Sequence, residues 1–241
     1  MPKVAALIHG VSGVGKSPLL DSAPGPRLIL DAEGGSDWTP SRKIPWDPAQ
    51  PPPTGLLPDD SVVVMVRSFA TMRQVYQWLS SDQYPHEFQS VVFDSITEIQ
   101  LRCKDELGGS LTDQRQWGAL LDQMMALVRN FRDLKMHPTR PVNVFIGALS
   151  VKKDDVQSAD VQGSFAGKLP GYMDFVGYLY TATEGEGLVR RLLVQPSPGF
   201  QAKDRTGRIV ARFGQSVVTH GTEDACDLSC IAGTINGEEV C

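Results

Sequence analysis

Short unbroken apolar runs alternate with longer amphipathic ones along most of this 241-residue chain. Val4 to Ile8, Arg27 to Ala32 (RLILDA), Ser61 to Val66 (SVVVMV), Ser90 to Asp94 (SVVFD) and Val142 to Leu149 (VNVFIGAL) have strand length. Without polar alternation, such runs read as strands buried on both faces. Between them, Phe69 to Leu79, Ile96 to Leu107 and Asp113 to Met136 place apolar residues at helical spacing. Met124, Met125, Leu127, Val128 and Phe131 of the last run are core-facing positions. Leu19 to Ser22 is too short to demonstrate a helix, although the alternation calls for one there. Strands alternating with helices predict an α/β fold, with a mainly parallel sheet and ligands at the strands' carboxyl ends. Phe175 to Thr183 and Leu188 to Gln195, joined by a turn at Glu184 to Gly187, predict an antiparallel extension near the C-terminus.

Two stretches lack any period. Residues 36–60 carry seven prolines and two tryptophans and read as an ordered excursion or flap. Ser150 to Gly171, with Lys152, Lys153, Asp154 and Asp155, reads as a functional or mobile loop. Gln201 to Arg212 is basic. The last 29 residues contain Glu223, Asp224, Asp227, Glu238 and Glu239 and no Lys or Arg. Those five account for the whole net charge of −5, which is therefore polarised. The predicted organisation is a core over 1–212 followed by an acidic tail over 213–241. Cys103, Cys226, Cys230 and Cys241 fit no zinc spacing and read as free thiols. No run reaches transmembrane length and no signal-peptide pattern opens the chain, so a cytoplasmic protein with no membrane partner is expected.

The chemistry gathers at Val4 to Ser17, VAALIHGVSGVGKS. Gly10, Gly15, Lys16 and Ser17 satisfy the phosphate-loop pattern G-x-x-x-x-G-K-[ST] directly after a predicted strand. Glycines let the backbone curl until successive N–H groups face phosphate oxygens, and a following helix adds the positive end of its dipole. Gly10, Val11, Ser12, Gly13, Val14, Gly15, Lys16, Ser17 and Pro18 are thus the candidate cradle for ATP. Lys16 would reach the β- and γ-phosphates, and the Ser17 hydroxyl would hold Mg²⁺. Pro18 suits a first helical turn but offers the α-phosphate no N–H. Asp94, closing VVFDS, can hold the Mg²⁺ water shell opposite Ser17. Glu33, after the strand in LILDAEGG, can take a proton from the water attacking the γ-phosphate. Asp31 competes with it for that role.

A strand-DAE segment after the phosphate loop, followed by VVFDS and a helix, resembles the ATPase core of the RecA superfamily. The resemblance implies a RecA-like P-loop NTPase core with Glu33 as catalytic base and Asp94 as the magnesium carboxylate. Ala202 to Gly207, AKDRTG, resembles the K-x-R motif of the DnaB and KaiC branch, where lysine and arginine reach a neighbouring subunit's ATP site. That role would fall to Lys203 and Arg205. The layout over about residues 4–212, including Ser95 to Gln100 and Lys168 to Asp174, is most similar to small phage-encoded RecA-like ATPases of single-strand annealing and recombination. Unlike in the recombinases, an amino-terminal polymerisation domain is not expected. The chain also has GALS, ending at Ser150, where the recombinases have a γ-phosphate-sensing glutamine.

The resemblance implies an oligomeric, ring- or filament-forming ATPase that binds single-stranded DNA, with Lys152, Lys153, Phe165 and Lys168 as candidate contacts. An alternative is an ATP-dependent switch or helicase-loader-like protein acting through a protein partner, such as a phage single-strand binding or replication protein. A small-molecule kinase would want an arginine-rich lid and an acceptor pocket, and the K-x-R turn fits an intersubunit role better.

Overall fold

The computed structural model describes residues 2–185 and 187–238. Its strands are β1 (Ala5–Gly10), β2 (Arg27–Asp31), β3 (Lys43–Pro45), β4 (Ser61–Met65), β5 (Ser90–Asp94), β6 (Asn143–Lys153), β7 (Val156–Ala159), β8 (Phe175–Glu184), β9 (Gly187–Leu193), β10 (Lys203–Asp204) and β11 (Ser216–His220). The helices are α1 (Lys16–Leu20), α2 (Phe69–Ser80), α3 (Ile96–Glu106), α4 (Gln114–Asp133), α5 (Phe165–Tyr172), α6 (Arg208–Phe213) and α7 (Leu228–Asn236). The central sheet runs β11-β9-β8-β1-β6-β5-β2-β4-β3, with β10 on β8 and β7 on β6. From β8 to β3 neighbouring strands are parallel, and β9 and β11 continue antiparallel. The fold is α/β with a mostly parallel sheet.

The apolar runs are continuous because both faces of the sheet are covered. Leu7, Leu28, Leu30, Val62, Val64, Val91, Phe93, Val144 and Ile146 point into one core with α2, α3, α4 and α5. Their neighbours Ala6, Ile8, Ile29, Val63, Val92 and Phe145 point into a second core, with α1, α6 and α7. Period-two alternation therefore sorts one unbroken apolar run into two layers. Helix α4 starts on a capping box, with Asp113 accepting from the Gln116 N–H and Gln116 reaching back to the Asp113 N–H. Met124, Leu127, Val128 and Phe131 are buried as expected, and Met125 packs half-buried beside them.

Three sequence expectations change, and one open choice closes. Residues 36–60 are the ordered excursion and not a flap: β3 extends the sheet, Trp46 is buried, and Arg42–Asp60 and Lys43–Asp21 ion pairs pin the segment. Ser150 to Gly171 is not a mobile loop, because β6 runs on to Lys153, turns through Asp154 and Asp155 at positive φ, and pairs with β7 before α5 begins. The segment read as a tail joins the sheet through β11 and buries Leu228, Ile231 and Ile235 of α7 in the second core. Its few apolar positions are clustered on one short helix, so charge dominated its composition. Finally, Cys226 and Cys230 are bonded to each other and are not free thiols. One turn of chain brings their Cα atoms to 5.6 Å, within disulfide reach. Cys103 is free and buried, and Cys241 lies outside the described residues.

Candidate nucleotide site

Strand β1 ends at Gly10, where a Cβ would come within 2.7 Å of the Leu179 carbonyl oxygen on β8. Only glycine lets the chain leave the sheet there. Gly13 and Gly15 have φ of 76° and 101°, in the left-handed region that glycine adopts without strain. The loop then feeds α1, whose first residue is Lys16. The Lys16 ammonium donates to the carbonyls of Gly10 (3.0 Å) and Val11 (2.9 Å) and is buried at the loop's mouth. Burial lowers its pKa, opposed by the nearby Glu33 and Asp94 carboxylates.

In-register pairing of β2 with β5 sets Asp31 beside Asp94 at the strands' carboxyl ends. Asp31 is fully buried and accepts from the N–H groups of Glu33 (3.0 Å), Gly34 (2.6 Å) and Ser36 (2.9 Å) and from the Ser36 hydroxyl. Its oxygens are committed to holding the loop that presents Glu33. Glu33 itself is exposed to the cavity and accepts a hydrogen bond from the Ser95 hydroxyl. The Asp94–Ser95 peptide is cis.

Asp94 is buried and accepts from the Ser17 hydroxyl. Its pKa is pushed up to about 6, mainly by burial and further by Glu33 and Asp31, against the pull of Ser17 and Lys16. Two hard oxygen donors facing each other in a buried, anionic corner suit Mg²⁺, which takes few protein ligands and completes its shell with phosphates and water. Gly35 keeps that corner open, since a Cβ there would stand 2.9 Å from Ser17 Oγ and 3.4 Å from Asp94 Oδ2. Among the described residues no three His, Cys, Asp or Glu side chains converge into a closed metal cage.

Lys16, Ser17, Glu33 and Asp94 thus line one cavity of about 320 Å³, with Ser12, Gly13, Gly15 and Pro18 along one wall and Trp38, 88% exposed, on the rim. A larger groove of about 530 Å³ between α2 and α4 presents Phe69, Tyr76, Leu127 and Phe131 and no carboxylate. Chemistry, not volume, identifies the candidate site. Ser150 does not line the cavity. Its hydroxyl bonds His9 Nδ1 (2.7 Å), while His9 Nε2 bonds the Gln201 carbonyl (2.7 Å). A carbonyl can only accept, so Nε2 carries the imidazole proton and Ser150 donates to Nδ1. Burial lowers the His9 pKa to about 4, which keeps the ring neutral.

Lys203 and Arg205 are remote from this cavity. Lys203 opens β10 and Arg205 follows it; β10 pairs with the start of β8 at Phe175 and Val176, whereas the phosphate loop leaves β1 opposite Leu179. Lys203 donates to the carbonyls of Pro170 (3.0 Å) and Met173 (2.7 Å), and Arg205 pairs with Asp174 (3.1 Å) and the Gly171 carbonyl (3.2 Å). Of the candidate DNA contacts, Phe165 is buried in the core under α5 and has no face for a base to stack on. Lys152 is exposed and pairs with Asp155 at 2.9 Å; Lys153 and Lys168 are exposed.

Arg190 is the lining residue that sequence reasoning missed. Its only trace is a pair of arginines, Arg190 and Arg191, inside the otherwise apolar strand GLVRRLL. A family model described as an AAA domain matches residues 3–206 of the chain. No curated protein matches it. Among the described residues no helix is long and apolar enough to cross a membrane.

Proposed function

The chain belongs to the AAA domain family, and from that premise we propose that it binds ATP with Mg²⁺ and hydrolyses it to ADP and phosphate. The observation that carries this reading is the convergence of Lys16, Ser17, Glu33 and Asp94 on one cavity at the carboxyl ends of β1, β2 and β5. Loop N–H groups and Lys16 bind the phosphate tail, and Ser17 with Asp94 would hold the ion. When bound, Mg²⁺ neutralises charge developing on the β- and γ-phosphates. Glu33, oriented by Ser95, takes the proton of the attacking water. Asp31 cannot share that task while its oxygens hold four donors. In the purified protein, Lys16→Ala should abolish turnover and weaken nucleotide binding. Glu33→Gln should bind ATP while hydrolysis falls by roughly two to four orders of magnitude. Normal turnover in either variant refutes the assignment.

The finer reading is a RecA-like recombination or annealing ATPase that acts on single-stranded DNA as an oligomer. Its support is the DAE and VVFDS segments and the K-x-R turn, which lies away from its own cavity, as residues serving a neighbour's site would. With Phe165 buried, DNA contact would rest on Lys152, Lys153 and Lys168 and on phosphates more than bases. Such binding weakens steeply with salt, and an affinity insensitive to salt would exclude it.

A further inference from the structure

Arg190 sits on β9, two strands from β1, and lays its side chain over the phosphate loop. A Cβ on Gly15 would meet its Nε at 2.7 Å, Cδ at 2.9 Å and Cζ at 3.1 Å. Strand alternation explains the reach: Arg191 turns to the other face, where it pairs with Glu184 and the Ser216 hydroxyl. Arg190 has no such partner. Among the described residues, no side-chain hydrogen bond or ion pair involves its guanidinium, although the residue is half-buried. An unpaired guanidinium suits two oxygens of an anionic group, and against a phosphate loop that group is a phosphate.

We propose that Arg190 is a nucleotide-binding residue acting in cis on the α/β-phosphate portion common to ATP and ADP. The sheet order assigns it to that end. Asp94, which ends β5, and Glu33, in the loop after β2, mark the γ-phosphate and metal end, and both strands lie across β6 from β1. Arg190 approaches from the opposite side, across β8, and rests on Gly15, not on either carboxylate. It also compensates for Pro18, which has no N–H for the α-phosphate.

This inference rests on the ATP-binding reading, and calorimetric titration with Mg·ADP and Mg·ATP separates the two. Arg190→Ala should weaken ADP and ATP by the same factor, about tenfold to a hundredfold for loss of a charge-assisted contact. KM for ATP should rise in proportion while kcat at saturating ATP stays near the parent value, the signature of binding shared by ground and transition states. Arg190→Lys, which keeps the charge and most of the aliphatic stem, should recover part of the ADP affinity and guards against a folding defect in the alanine variant. ADP affinity within twofold of the parent in Arg190→Ala overturns the proposal, as does a loss confined to ATP or to kcat. If Lys16→Ala loses nucleotide and Arg190→Ala does not, only the role of Arg190 falls. If the parent protein binds neither nucleotide, the ATP reading falls with it.

Discussion

At the scale of single residues, surroundings decide which of two neighbouring carboxylates does chemistry. Asp31 is enclosed and saturated by three backbone N–H groups and a hydroxyl, whereas Glu33 faces the cavity on one hydroxyl. Asp31→Asn sets an amide NH₂ against those donors and should cost roughly 2–4 kcal/mol of stability in urea denaturation. An Asp31→Asn protein as stable as the parent would contradict the anchoring role. His9 carries a pH signature. Its pKa is about 4 when folded against 6.5 unperturbed, because burial disfavours the imidazolium. Above pH 6.5 both states are neutral. Between 6.5 and 4 only the unfolded chain takes the proton, so stability falls with falling pH, by up to about 3 kcal/mol for this group. His86, also lowered to about 4, acts in the same sense. Asp94, raised to about 6, has the opposite sign, since the folded form binds the proton first. The total curve mixes these, but the difference between parent and His9→Gln isolates His9. The parent should lose ground to the variant from pH 7 to pH 4, and parallel denaturation curves would refute this.

At the scale of elements, α7 shows what composition hides. Its Asp227 cap accepts from the Cys230 N–H (2.8 Å), and Ser22 beyond α1 bonds both the Leu228 N–H (3.1 Å) and the Ser229 hydroxyl (2.9 Å). Ile231 is fully buried. Ile231→Ala should therefore cost about 2–5 kcal/mol, whereas an appended tail would lose almost nothing; thermal melting decides. The long parallel strands and α2, α3 and α4 were legible because burial on two faces or one leaves a period in the sequence. β8 was legible as a strand, but its parallel pairing with β1 was not, since pairing partners are set by topology. β3, β7 and β10 are short and half exposed, so their hydrophobic pattern is weak and only backbone pairing defines them. The same holds in the site. Residues of the loop and of DAE and VVFDS announce themselves by local spacing, while Arg190 arrives from a strand more than 170 positions away. No local pattern encodes such a contact.

At the scale of the whole molecule, the two ends of the sheet carry complementary chemistry. The carboxyl ends of β1, β2 and β5 hold the phosphate loop, Glu33 and Asp94, and the beginning of β8 holds Lys203 and Arg205. Head-to-tail contact between copies is heterologous, and repeated it closes a ring or extends a filament. On the proposed reading, a single chain then lacks part of its site, and specific activity should rise with protein concentration until assembly saturates. Arg205→Ala should bind ATP yet turn it over slowly, because charge on the transferring phosphoryl group goes unneutralised. The purely local account, in which Arg205 ties Asp174 and the Gly171 carbonyl, predicts a change in stability and no dependence on concentration. Mixing separates the two accounts. An interface with intact Glu33 from one copy and intact Arg205 from another contains a complete site, so Glu33→Gln and Arg205→Ala proteins, each strongly impaired alone, should recover part of the parent activity together. Absence of rescue in mixtures that demonstrably co-assemble would remove the intersubunit role and leave Lys203 and Arg205 as ties between β10, α5 and the start of β8.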